Sequence, residues 1–274
     1  MNCIYCGKSA GFFQRTHPEC AQIHENGKQQ IFSLASSMPS PQLSLDEIQG
    51  KIRSIAAALH ISETEQHRLI LNGWVTAVDK VLAEDPPGND EVQKLMTAVT
   101  QFASSANDMS AGGGAFSRLM KYAAILLVTN GIIPKFASMN LPINLEKGGT
   151  VVWTFVNCEY IMDKTTRKYV SSSHGVSVRL MRGVYYRRSS FTGKPVEKTE
   201  RVRVDSGSLG VTDKHLYFVG KAKSFRLPYT KITSFEPFNN GIGIFRDTKN
   251  AKPEIFVTQD GWFTYNLVTN LAKL

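Results

Sequence analysis

Apolar positions follow two rhythms along this chain, and the change falls near residue 145. Before it they return every three to four residues, as a helix with one buried face requires. Pro18 to Met38 predicts a first helix, weakened at its centre by Gly27. SMPSPQ (37–42) breaks it and reads as a linker. Ser44 with Glu47, and Ser62 with Glu65, each match a capping box ahead of a further helix. The later of these two helices carries Leu69, Ile70, Trp74, Val78 and Leu82, and DPPGN (85–89) stops it. Asn89 caps the next, where Val92, Leu95, Met96, Val99 and Phe102 recur; SAGGG (110–114) precedes a last helix closed by Gly131 and Pro134. Four or five helices with short joins predict a bundle. Trp74 reads as core, and the acidic residues around the DPPGN turn, which lack EF-hand spacing, read as solvated helix ends.

After residue 145 the period drops to two. TVVWTFVNCEYI, GVSVRLMRGVYYRR, TERVRVD, SLGVT, HLYFVG, KSFRLPY, KITSFEPF, GIGIFRD and PEIFVT alternate apolar with polar residues. They predict seven to nine antiparallel strands. Pro228 marks an edge or a strand end, and Asn240–Gly241 a tight turn. The period then switches once more. Asp260 caps a terminal helix, DGWFTYNLVTNLAKL, with Phe263, Leu267, Leu271 and Leu274 down one face. A curved sheet closed by one amphipathic helix resembles the architecture of pleckstrin-homology and GRAM domains. The expected fold is thus multidomain α+β. Its parts are a small zinc-binding element running into a helix (1–36), an all-helical bundle (43–138) and a helix-capped antiparallel β-barrel (145–274).

Charge changes the picture of the last part only. The net charge is +9, yet residues 1–150 hold 12 Lys/Arg against 13 Asp/Glu, while residues 151–274 hold 20 against 10. An anionic partner therefore belongs to the strand-rich half. Three basic clusters stand out there: Arg179 with Arg182, Arg187 with Arg188, and Lys221 with Lys223 and Arg226. Lys194, in FTGKP, joins the middle one. Apolar residues make up 42% of the chain, enough for real cores, but no apolar run approaches bilayer length. With no leader-like pattern ahead of Cys3, the expected location is cytoplasmic, or peripheral to the inner membrane if the partner is lipid.

The chemistry that stands out sits at the front. Cys3 and Cys6 are spaced CxxC, and His17 and Cys20 are spaced HxxC. Two such pairs can grip opposite sides of one tetrahedral ion, and Cys3His is a common structural zinc set. Four protein donors leave no open coordination position, so catalysis at the ion is not expected. Gly7 and Gly11 allow tight turning around it. His24, one helical turn after Cys20, is an alternative fourth ligand. A redox role for CxxC is the weaker reading, because such pairs open a helix after a strand and no strand precedes this one.

SLGVTDKHLYFVGKAKSFRLPYTKITSFEPF (208–238) resembles the central hairpins of GRAM and bacterial pleckstrin-homology-like domains. The resemblance rests on Thr212, Lys214, Leu216, Tyr217 and Phe218, then on Leu227, Pro228, Tyr229, Lys231 and Ile232; Leu227 stands where isoleucine or valine is commoner. The chain as a whole is similar to a family of bacterial cytoplasmic proteins that join a CxYCG…HxxC element, a helical bundle and such a sheet domain. Cys3, Tyr5, Cys6, Gly7, His17 and Cys20 carry the first likeness; GVYYR (183–187) and DGWFTYNL (260–267) carry the last. The resemblance implies a fold with a zinc-binding front element, and little about activity.

Three roles remain in view. The basic domain docks on an anionic partner, phospholipid headgroups or an acidic protein surface. Alternatively it binds nucleic acid, with Tyr185, Tyr186 and Phe191 interleaved among basic residues as a stacking surface would be. The third is a purely structural, self-assembling protein. An enzyme is not expected: the chain has no G-x-S-x-G elbow, P-loop or dinucleotide fingerprint. SSSHG (171–175) reads as a polar turn, and Cys158 as a small hydrophobe.

Overall fold

The structure, a computed structural model, describes residues 1–11, 14–84, 87–102, 114–135, 145–169, 195–248 and 252–274. The chain divides into two compact units, Met1–Asn130 and Gly131–Leu274.

The first unit is built from α1 (Pro18–Ser36), α2 (Leu45–Ala58), α3 (Glu63–Leu82), α4 (Asn89–Phe102) and α5 (Gly114–Thr129). Ile31, Ala35, Ile48, Ile52, Val78, Leu95 and Leu119 meet in one apolar core. Trp74 is part of it, and its indole N–H donates to the Leu95 carbonyl at 3.1 Å, which satisfies its one polar atom. Gly27 is buried and does not act as the soft spot its helix propensity suggests. A Cβ there would lie 2.1 Å from Leu59, so the missing side chain is what lets that leucine seat against α1. The linker after α1 is held as well: the Lys94 ammonium donates to the carbonyls of Ser40 and, at 2.6 Å, of Leu43.

The two expected capping boxes come out differently. Ser44 Oγ accepts the Glu47 N–H, and the Glu47 carboxylate accepts the Ser44 N–H at 2.7 Å, a complete reciprocal cap. Ser62 likewise accepts the Glu65 N–H, but the Glu65 carboxylate turns to Lys28 on α1, 2.9 Å away. Charge attraction across the α1–α3 contact outcompetes the local return bond. That ion pair holds the Glu65 carboxyl below its ordinary range.

Among the described residues, the second unit holds a seven-stranded antiparallel sheet in the order β4-β3-β2-β1-β7-β6-β5. Its strands are β1 (Val151–Tyr169), β2 (Pro195–Thr212), β3 (His215–Gly220), β4 (Ser224–Pro228), β5 (Ile232–Phe238), β6 (Gly241–Arg246) and β7 (Glu254–Val257). The two edge strands, β4 and β5, are consecutive in the chain and joined by a single 3-10 turn, Tyr229–Lys231. Four residue steps reach about 14 Å at most, whereas the edges of a flat seven-stranded sheet lie about 29 Å apart. The sheet must therefore curl until its edges approach, which makes it a half-barrel. Pro228 ends β4 and so costs no ladder bond within a central strand.

A bulge in β1 sets what faces inward. Its register shifts between Phe155 and Cys158, where Asn157 takes φ 55°. The extra residue resets the alternation, so that Phe155, Cys158 and Tyr160 are all buried. TERVRVD and SLGVT, read as separate strands, form one continuous β2. The expected strand GVSVRLMRGVYYRR lies outside the described residues.

The terminal helix, α6 (Gly261–Leu271), forms as its pattern predicts. Asp260 Oδ1 accepts the Phe263 N–H at 3.1 Å as its cap. Phe263, Leu267 and Leu271 are buried, and the Phe263 ring meets Trp153 edge-on at 4.7 Å and Phe155 at 5.8 Å. Leu274 does not join that face: it lies past the helix end and is 62% exposed.

Candidate metal centre

Local backbone bonds shape the first eleven residues into a knuckle. Cys3 N–H donates to the Lys8 carbonyl at 2.7 Å, and Gly7 N–H donates to the Cys3 carbonyl at 2.9 Å. Gly7 takes φ 70°, the left-handed conformation such a turn needs. Asn2 and Ser9 bridge as a minimal antiparallel pair, and Ile4 N–H reaches the Arg15 carbonyl at 3.0 Å. Pro18 then opens α1, which carries Cys20 on its first turn.

This folding collects Cys3, Cys6, His17 and Cys20, whose ligand atoms all lie within 4.8 Å of one another. His17 Nδ1 is 3.3 Å from Cys6 Sγ and 3.7 Å from Cys20 Sγ. Its other ring nitrogen, Nε2, lies 3.0 Å from the Ser9 carbonyl. A carbonyl only accepts, so Nε2 carries the proton and Nδ1 presents its lone pair to the thiols. Such second-shell anchoring of a histidine is the habit of metal sites. His24 has another role: its ring packs tilted against that of Tyr5, with centroids 4.4 Å apart, so α1 braces the knuckle through an aromatic contact.

The thiols are electrostatically unequal. Burial acts to raise Cys3, but N–H groups of His17, Tyr5 and Cys6 together outweigh it and bring the thiol down to about 6. Burial and the neighbouring sulfurs of Cys6 and Cys3 push Cys20 up to about 11. Three sulfurs this close cannot all be anionic without a cation among them. The donor set, its tetrahedral count and the fixed histidine tautomer fit zinc.

Of the basic residues singled out by charge, Arg179, Arg182, Arg187, Arg188 and Lys194 lie outside the described residues. Lys221, Lys223 and Arg226 fall on one hairpin, β3–β4, and are exposed. Sequence reasoning missed the group that shapes it. Asp205, buried on β2, accepts the N–H groups of Ala222 and Lys223 at 2.8 Å each, and that of Ser206. These bonds, led by Ala222, hold its carboxyl below the ordinary range. Lys223 lies 6.0 Å over the Tyr160 ring. Two arginines of the unit are already matched: Arg203 pairs with Glu159 at 2.7 Å, and Arg246 with the buried Glu254. Tyr160 also donates to Glu254, at 2.8 Å. Cys158 is fully buried, and burial raises its thiol to about 12, as an inert packing residue requires.

Comparison with protein-family models, curated proteins and solved structures returns no match. Strand order, curl and capping helix nevertheless define the class. The second unit is a curled antiparallel half-barrel closed by a C-terminal helix, and the first is a helical bundle fronted by a Cys3His cluster.

Proposed function

We propose that this protein is a non-enzymatic adaptor of the cytoplasm. A structural zinc ion held by Cys3, Cys6, His17 and Cys20 fastens its front end, and its half-barrel docks on an anionic surface of phospholipid headgroups or acidic protein. The observation that carries the docking reading is the β3–β4 hairpin. It presents Lys221 and Lys223 to solvent on a turn that the buried Asp205 carboxylate pins from below, with Arg226 exposed beside them on β4. A pinned turn loses little freedom on binding, so its cations meet a partner at lower entropic cost. The further clusters Arg179/Arg182 and Arg187/Arg188, with Lys194, add charge of the same sign to this unit. None of the described helices is long and apolar enough to cross a membrane, which suits peripheral docking.

The test is sedimentation with vesicles containing phosphatidylglycerol against pure phosphatidylcholine, beside recovery of bound polypeptides from the protein's own cells. The double variant Lys221→Glu, Lys223→Glu should lose the anionic partner in whichever arm captures it, with its melting temperature unchanged. Retained binding by that variant would remove the hairpin from the interface. Metal analysis of the purified protein should find stoichiometric zinc.

A further inference from the structure

We propose that Cys3 and Cys6 form a thiol-oxidation site, at which a hydroperoxide links the two sulfurs and thereby dismantles the metal centre. The inference rests on the zinc reading above and adds a reactivity to the same residues. Its basis is the unequal access of the four donors. Cys6 is exposed, while Cys3, three residues before it in the same turn, is 2% exposed. His17 and Cys20 are half-buried, and Cys20 is fixed on α1. An oxidant arriving from solvent therefore meets Cys6 first, with a second sulfur held within 4.8 Å behind it. One open thiol with an enclosed neighbour is the arrangement in which a first oxidation resolves to a disulfide instead of proceeding to irreversible acids.

The chemistry balances without any group beyond the hydroperoxide. The Cys6 sulfur attacks the peroxide oxygen, the O–O bond breaks, and the departing hydroxide takes a proton to leave as water. Cys6 is then a sulfenic acid. The Cys3 sulfur attacks it, the S–O bond breaks, and a second hydroxide leaves as water after protonation. Two thiolates, one hydrogen peroxide and two protons give one disulfide and two waters, the sulfurs losing two electrons and the peroxide gaining them. His17 and Cys20 are then the remaining unmodified donors of the cluster, fewer than a structural zinc site employs. Tyr5 lies between the linked residues and its ring packs against His24, so a change in that turn is felt directly on α1.

The experiment uses the full chain as isolated, treated with a small excess of hydrogen peroxide. Released zinc is followed with a chromogenic chelator, and the thiols are mapped by mass spectrometry after alkylation. The expected result is stoichiometric zinc release, a Cys3–Cys6 cross-linked peptide, alkylatable Cys158, and recovery on adding reductant with zinc. Zinc that stays bound with Cys3 and Cys6 still free overturns the inference, as does a disulfide drawn through Cys20. Protein that holds no zinc before treatment sinks the metal reading instead, and the same peptide map still decides the Cys3–Cys6 pairing.

Discussion

The two ends of this chain are fixed by opposite means. At the C-terminal end, α6 buries Phe263, Leu267, Val268 and Leu271 and closes the half-barrel with apolar area. At the N-terminal end, the described residues ahead of α1 bury only Cys3 and Ala10 as apolar side chains. Burying two small residues is worth a few kcal/mol at best, less than the cost of ordering so many backbone units. What adds to that small apolar area is a set of four donors converging on one point. A helix that plugs a barrel tolerates loss of any one contact by degrees. A donor cluster fails as a unit.

The largest effect should follow from attacking that cluster. Chelation of zinc, or Cys3→Ser, should release the residues ahead of α1, seen as rapid amide exchange and early proteolysis there. Exchange within α6 should not change, and if it did, the two ends would not be independent. Phe263→Ala comes next, at about 3–5 kcal/mol of unfolding free energy, because it empties the place where three rings meet. Chemical denaturation should place that loss in the second unit and leave zinc content untouched. Ser44→Ala removes the reciprocal cap of α2 and should cost about 1 kcal/mol, measured in the same way.

The smallest effect concerns pH. The Asp205 carboxyl is held below its unfolded value of about 3.9, so its contribution is present above that value and lost as pH falls through the lower, folded one. Asp205→Asn should therefore melt earlier than the parent at pH 7, and the gap should close on acidification below about pH 4. A gap that persists into acid would mean that the turn is held by shape and not by charge.

Much of this could be read from the chain beforehand, and what escaped has a physical pattern. Helix starts, the Asp260 cap, the curled sheet and the four donors are local signals, carried by spacing and period. Choices between competing long-range partners were not legible. Glu65 has a local use at its cap and a distant one at Lys28, and only the packing of α1 on α3 decides between them. His17 and His24 both lie within one helical turn of Cys20 in the sequence, and the contact with Tyr5 engages the second. Gly27 looks destabilising in isolation and becomes a seat for Leu59. Asp205 carries no motif at all, because its partners are backbone amides on another hairpin.

The strand order carries one last consequence, for synthesis. Among the described strands, β1 joins both halves of the sheet, pairing with β2 on one side and with β7, near the far end of the unit, on the other. As the ribosome delivers the chain, β1 to β4 can assemble as a meander while the β7 flank of β1 stays bare. That flank must wait until Glu254–Val257 emerge, and the plug of α6 follows almost at once. Closure of the half-barrel is thus a late event, and a stalled or truncated nascent chain would display an open, adhesive edge to its neighbours.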